Sequence, residues 1–130
     1  MTTEGTTKGR VLVIDDEVLI GRSIQRALGR NYDVVLADGG ARALEMMKAD
    51  TKFDCVLCDL QMPDVSGMGV FEWAQENAPA LIARFVFMTG GAFSEKAREF
   101  IEKTTAERME KPFDTQVLRA TVERICAKSR

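Results

Sequence analysis

Phe53-Asp54-Cys55-Val56-Leu57-Cys58-Asp59-Leu60-Gln61-Met62-Pro63 is a short apolar run that delivers one carboxylate, Asp59, to its far end. The apolar part is too short for a globular helix, and Pro63 with Ser66-Gly67 stops the chain just beyond, so the run predicts a buried strand. Asp59 then stands at the C-terminal rim, where open α/β sheets bind ligands. A second apolar run, Arg10-Val11-Leu12-Val13-Ile14, also ends in carboxylates, Asp15 and Asp16. Two parallel strands ending level would bring Asp15, Asp16 and Asp59 into one cleft. Like charges at that range repel and raise the pKa of at least one acid unless a cation sits among them. An all-oxygen, multiply anionic cleft suits magnesium or manganese.

Outward from these runs the chain alternates. Glu17 to Arg30 carries Ile20, Ile24, Ala27 and Leu28 on one helical face, with Asn31 as a stop. Tyr32 to Leu36 reads as a strand, and Gly39 to Lys48, with Ala43, Leu44 and Met47 in register, as a helix. After the central strand, Met68, Phe71 and Ala74 mark a third helix closed by Pro79, with Trp73 off the stripe and partly exposed. Leu81 to Met88 predicts the fourth strand, ending at Thr89-Gly90-Gly91, and Ser94 caps a helix with Ala97, Phe100 and Ile101. A weak strand over Arg108 to Glu110 precedes Lys111-Pro112. Asp114 caps the last helix, whose stripe is Val117, Leu118, Thr121, Val122 and Ile125. Short connections between alternating strands and helices predict an α/β fold: a doubly wound, five-stranded parallel sheet covered by helices on both faces.

Composition narrows the function. The 130 residues, 45% hydrophobic, suffice for one domain with a real core. Residues 1–9 are Thr- and Gly-rich without periodicity and are expected to be a disordered tail, leaving the domain proper at 10–128. A net charge of −2 with no basic cluster gives no reason to expect nucleic-acid binding. No apolar run approaches the ~20 residues of a membrane span and the N-terminus is unlike a signal peptide, so a cytoplasmic location is expected. Cys55 and Cys58 have C-x-x-C spacing, but residues three apart on a strand point to opposite faces, which excludes a shared metal or bridge. Cys126 reads as a small core hydrophobe. The chain contains no histidine, so neither a Ser-His-Asp triad nor a phosphohistidine can come from it.

Four strand ends carry polar residues: Asp15-Asp16, Asp59, Thr89 and Lys111. A carboxylate can attack phosphorus to give an acyl phosphate, and Asp59 is the candidate nucleophile. A divalent ion held by Asp16 and Asp59, with Asp15 acting through water, would neutralise the incoming phosphoryl group. Lys111 could add a point charge, the Thr89 hydroxyl a hydrogen bond, and Gly90 and Gly91 open backbone amides. The bland alternative for Asp16 is that it caps the helix starting at Glu17.

The set Asp15-Asp16, Asp59-Leu60-Gln61-Met62-Pro63 with Gly67, Thr89-Gly90 and Lys111-Pro112-Phe113 resembles the receiver domain of two-component response regulators, over Arg10 to about Lys128. The resemblance implies a flavodoxin-like sheet of strand order 2-1-3-4-5 and phosphorylation of Asp59 by the phosphohistidine of a partner histidine kinase or phosphotransfer protein. It also implies magnesium held by Asp16, Asp59 and the backbone carbonyl of Gln61, a cis Lys111-Pro112 bond, and slow self-dephosphorylation tuned at Gln61 and Gly91. One position departs from the family: its switch aromatic, three residues before the lysine, is here Arg108, whose charge would lose hydration on turning inward. The run Phe87-Met88-Thr89-Gly90-Gly91-Ala92-Phe93 resembles receivers attached to hybrid sensor kinases. Without a kinase core, such a chain would be a free-standing or excised relative. Two other readings stay open: an unphosphorylated docking module of the same fold, and an aspartyl-phosphate hydrolase resembling haloacid dehalogenases, against which stands Gln61 in place of their second acid.

Overall fold

The computed structural model describes residues 8–91 and 94–128. In chain order it runs β1 (Arg10–Ile14), α1 (Val18–Leu28), β2 (Asp33–Ala37), α2 (Gly40–Ala49), β3 (Cys55–Asp59), α3 (Gly67–Asn77), a 3₁₀ helix (Pro79–Arg84), β4 (Phe85–Thr89), α4 (Glu95–Lys103), β5 (Glu107–Glu110) and α5 (Thr115–Lys128). All strand pairs are parallel and the order is β2-β1-β3-β4-β5, as expected. Of the expected tail, residues 1–7 lie outside the described part. Lys8 and Gly9 are tied to the sheet: the Lys8 amide donates to the Asn31 carbonyl at 2.6 Å, and Gly9 accepts from the Asp33 amide at 3.0 Å.

Side-chain alternation along each strand divides the core in two. Leu12, Ile14, Val56, Cys58, Phe85 and Phe87 face α2, α3 and α4. Val11, Val13, Cys55, Leu57, Val86 and Met88 face α1 and α5. Cys55 and Cys58 therefore lie in different layers, both unbridged, and burial pushes both thiols well up, which makes them packing residues. Cys126 is buried beside the α5 stripe, whereas Val117, in the first turn of that helix, is 46% exposed. Trp73 is half-buried.

The fourth strand is shorter than the sequence suggests. Leu81 to Arg84, expected to open it, belong to the 3₁₀ helix, and only Phe85 onward joins the sheet. Pro79 has no amide to donate and suits a helical start. Leu81 reaches the core from that turn, while the Arg84 guanidinium donates to the Phe53 carbonyl at 2.8 Å and pins the segment beside β3. An apolar run alone does not distinguish a buried turn from a buried strand.

α4 is the most lightly seated helix. Ala97 is its only fully buried residue, and its main anchor is Phe100, whose ring meets Phe87 and Phe71 edge to face with centroids 5.1 and 5.5 Å apart. At the opposite rim from the strand C-termini, Arg10 gathers β1, β2 and the α2–β3 connection. Its guanidinium lies 2.7 Å from Asp50, 3.5 Å from Asp33 and 4.5 Å above the Phe53 ring centroid.

Candidate functional site

β1 and β3 pair with Ile14 opposite Cys58, so the next residues, Asp15 just past β1 and Asp59 ending β3, stand level at the sheet rim. Asp15, Asp16 and Asp59 each offer a carboxylate oxygen within 4.8 Å of the others. Asp15 and Asp59 are buried and Asp16 is exposed. α1 begins at Val18, after Glu17, and the Glu17 amide is accepted by Asp15 Oδ1 at 2.9 Å, so Asp16 caps nothing and is free to face the cleft.

Lys111 reaches this group from the end of β5. Its backbone amide donates to the Thr89 carbonyl at 2.6 Å, which ties the two strand ends together, and the Lys111-Pro112 bond is cis. The ammonium donates to Asp15 Oδ2 at 2.9 Å and lies 3.6 Å from Asp59 Oδ1 and 3.6 Å from Glu17 Oε1. Burial works to lower the Lys111 pKa, but the Asp15 hydrogen bond and the charges of Asp59, Asp15 and Glu17 outweigh it and hold the ammonium above its ordinary range. Asp59 moves the other way. Burial first, then the Asp15 charge, raise its carboxyl to about 7, against the pull of Lys111. One ammonium does not neutralise the acids around it. That deficit, in an all-oxygen donor set, is the condition in which a hard divalent cation fits, and Asp15, Asp16 and Asp59 are the side chains that could hold one.

Asp16, Asp59 and Lys111 border an open cleft of about 370 Å³ that also includes Glu17, Gln61, Thr89 and Gly90. The structure thus brings together Asp15, Asp16, Asp59, Gln61, Thr89 and Lys111. Gly91 lies outside the cleft lining, exposed, in the left-handed region at φ 61°, and Arg108 stands exposed on β5 away from it. Ala92 and Phe93, the end of the run resembling kinase-attached receivers, lie outside the described residues. A larger groove of about 620 Å³ between α3 and α4 has an apolar floor including Phe71, Ile82 and Phe100, and its charged lining, Glu72, Lys96, Glu99 and Lys103, is exposed.

Two further residues shape the site. Glu17, which the helical pattern reads only as the start of a helix, brings its carboxylate into the Lys111 cluster, and its place directly after the Asp15-Asp16 pair is the signal for it. In the sequence Gly67 reads as part of the turn that stops the chain after Asp59. A β-carbon there would sit 2.4 Å from the Asp59 carbonyl oxygen, so only glycine allows the loop to close against the strand end. The Gly67 amide donates to the Leu60 carbonyl at 2.9 Å, and Ser66 Oγ accepts from Gly69 to start α3.

Comparison with known proteins agrees with this geometry. The chain is similar to the transcriptional regulatory protein ZraR of Escherichia coli K12, 32% identical over 118 residues, which are 90% of this chain and 26% of ZraR. It is similar also to the aerobic respiration control sensor protein ArcB of the same organism, 29% identical over 88% of this chain and 15% of ArcB. The chain therefore spans only about a quarter or less of these relatives. Among solved structures, a response regulator receiver domain protein from Clostridium thermocellum superposes with a TM-score of 0.79 at 24% identity, covering 92% of this chain and 95% of that one. The receiver domain of a signal transduction histidine kinase from Syntrophus aciditrophicus gives 0.81 at 19%, covering 94% and 92%. The family model described as the response regulator receiver domain matches residues 11–123, and the chain belongs to that family.

Proposed function

We propose that this receiver domain is a phosphorylation-operated signalling switch in which Asp59 accepts a phosphoryl group from the phosphohistidine of a histidine kinase or phosphotransfer protein. The observation that carries the reading is the convergence of Asp15, Asp16 and Asp59 with Lys111 at one sheet rim. In the transfer, an Asp59 oxygen forms a bond to phosphorus as the P–N bond to the donor imidazole breaks, and the electron pair leaves with the nitrogen. The donor histidine must come from the partner, since this chain has none.

Receiver domains bind magnesium through an acidic cluster, and here Asp15, Asp16 and Asp59, with the Gln61 carbonyl, are the groups proposed to hold it. A bound magnesium ion supplies positive charge to the phosphoryl oxygens. Lys111 supplies a second, fixed charge, and the Thr89 hydroxyl a hydrogen bond. Ionised Asp59 is the nucleophilic form, so its raised pKa makes the apo cleft a poor nucleophile below neutral pH. Gln61 and Gly91 are the positions proposed to tune phosphoryl lifetime. Val18 and Leu19, just past the acid pair, are 52% and 80% exposed and form an apolar step on which a donor helix can seat beside the cleft. Among the described residues no helix is long and apolar enough to cross a membrane, and we place the domain's work in the cytoplasm, where its donors act.

Arg108 favours a second reading. It stands exposed, with no ion pair among the described residues, at the position where the family places its switch aromatic. A docking module with the receiver fold would need no switch there. Intact mass after incubation with acetyl phosphate and magnesium separates the two. A single phosphoryl adduct that requires both magnesium and Asp59, and is absent from Asp59→Asn, is expected. Neither adduct nor magnesium-dependent beryllofluoride binding would leave the docking module.

A further inference from the structure

We propose that Glu17 is an electrostatic gate on the cleft: its carboxylate draws the Lys111 ammonium toward the mouth and repels anionic phosphoryl donors, so that small donors load Asp59 slowly. The inference rests on the phosphoacceptor reading above. Three observations support it. Glu17 Oε1 lies 3.6 Å from Lys111 Nζ, the same distance as Asp59 Oδ1, with Asp15 Oδ2 nearer at 2.9 Å, so three carboxylates share the cation meant for the phosphoryl group. The Glu17 side chain is 64% exposed while that of Lys111 is 15% exposed, and Glu17 lines the same cleft, which puts the acid on the solvent side of the ammonium. And the Glu17 backbone is fixed, because its amide donates to Asp15 Oδ1 at 2.9 Å.

The charges facing Lys111 are Asp15, Asp59 and Glu17, with Asp16 beside them. Asp15, Asp16 and Asp59 belong to the proposed cation site. Glu17 is surplus to it, and its charge acts on Lys111 and against an incoming anion. Transfer from acetyl phosphate forms the Asp59–phosphorus bond and breaks the phosphorus–oxygen bond to acetate, which leaves with the electron pair. A phosphoryl oxygen that hydrogen-bonds Lys111 at about 3 Å comes within roughly 7 Å of the Glu17 carboxylate. Unit charges at that range, partly screened, change a rate by about three- to tenfold.

Glu17→Gln keeps the size of the side chain and removes the charge. Loading rates of the magnesium-bound protein, followed by intact mass, should rise about three- to tenfold with dianionic acetyl phosphate and distinctly less with phosphoramidate, which carries less negative charge. The advantage should shrink at high salt, since exposed charges are screened there. Glu17→Asp keeps the charge at the mouth and should stay within about twofold of wild type. Equal acceleration with both donors at all salt concentrations, or no acceleration, would overturn the gate while leaving Asp59 as the acceptor. No adduct on the wild-type protein, together with no beryllofluoride binding, would remove the phosphoacceptor reading and the gate with it.

Discussion

Without metal, the protein should become less stable as the pH rises from about 5 to about 8, because Asp59 is pushed up to about 7 in the folded state against an ordinary 3.8. Between those values the folded state binds one proton more than the unfolded chain. The associated stability is fully present below the lower value and is lost as the pH passes the upper one. Two pKa units of that window, at about 1.4 kcal/mol each, give roughly 2.7 kcal/mol, and solvent screening at a partly open cleft reduces this to about 1–2 kcal/mol. The absence of histidine simplifies the measurement, and Asp59→Asn serves as the control for the three thiols, which begin to ionise in the unfolded chain near the upper end of the range. Urea unfolding in the presence of a chelator should show the midpoint falling by about 0.5–1 M over that range. Asp59→Asn should flatten the dependence and be the more stable protein at the upper pH. Magnesium should reverse the trend in wild type only, because a ligand that binds the ionised folded state stabilises it by mass action. An equal slope for wild type and Asp59→Asn would refute the assignment of the strained charge to Asp59.

Two further outcomes are expected. Arg10→Ala should cost about 1–2 kcal/mol in denaturant unfolding, from the lost Asp50 and Asp33 pairs and the Phe53 face, while leaving beryllofluoride affinity unchanged; a loss of affinity would show that the two sheet rims are coupled. Arg108→Tyr should enlarge the change in amide exchange that beryllofluoride produces over α4 and β5, by about 1 kcal/mol in opening free energy, and an unaltered difference would exclude position 108 from the coupling.

The sheet was legible because parallel strands buried on both faces read as near-continuous apolar runs, and Val11 to Ile14 and Cys55 to Cys58 are that kind of run. Register followed from chemistry: carboxylates at both ends, Asp15 and Asp59, are informative only if the strands finish level, as they do. The 3₁₀ segment was not legible, since Leu81 and Ile82 are apolar in either conformation and the Arg84 to Phe53 hydrogen bond that holds them is long-range. Glu17 was hidden for a similar reason. An acid opening a helix is ordinary, and only the fold brings Lys111, 94 residues further on (111 − 17), into its reach. Gly67 shows the converse: its residue type was noticed, but the close approach that demands it appears only once the loop lies over the Asp59 carbonyl.

The Arg10 cluster gives the molecule a second kind of latitude. One rim of the sheet concentrates carboxylates that resist being folded together, and the other is clamped by a guanidinium holding two acids and a ring. Each of the five-residue strands β1 and β3 runs from the clamp to the charge, so the anchoring and the reactive chemistry share a backbone but no side chain. Substitutions at the clamp therefore change the stability reserve against which the acid rim's repulsion is held, and leave the reactive side chains themselves untouched.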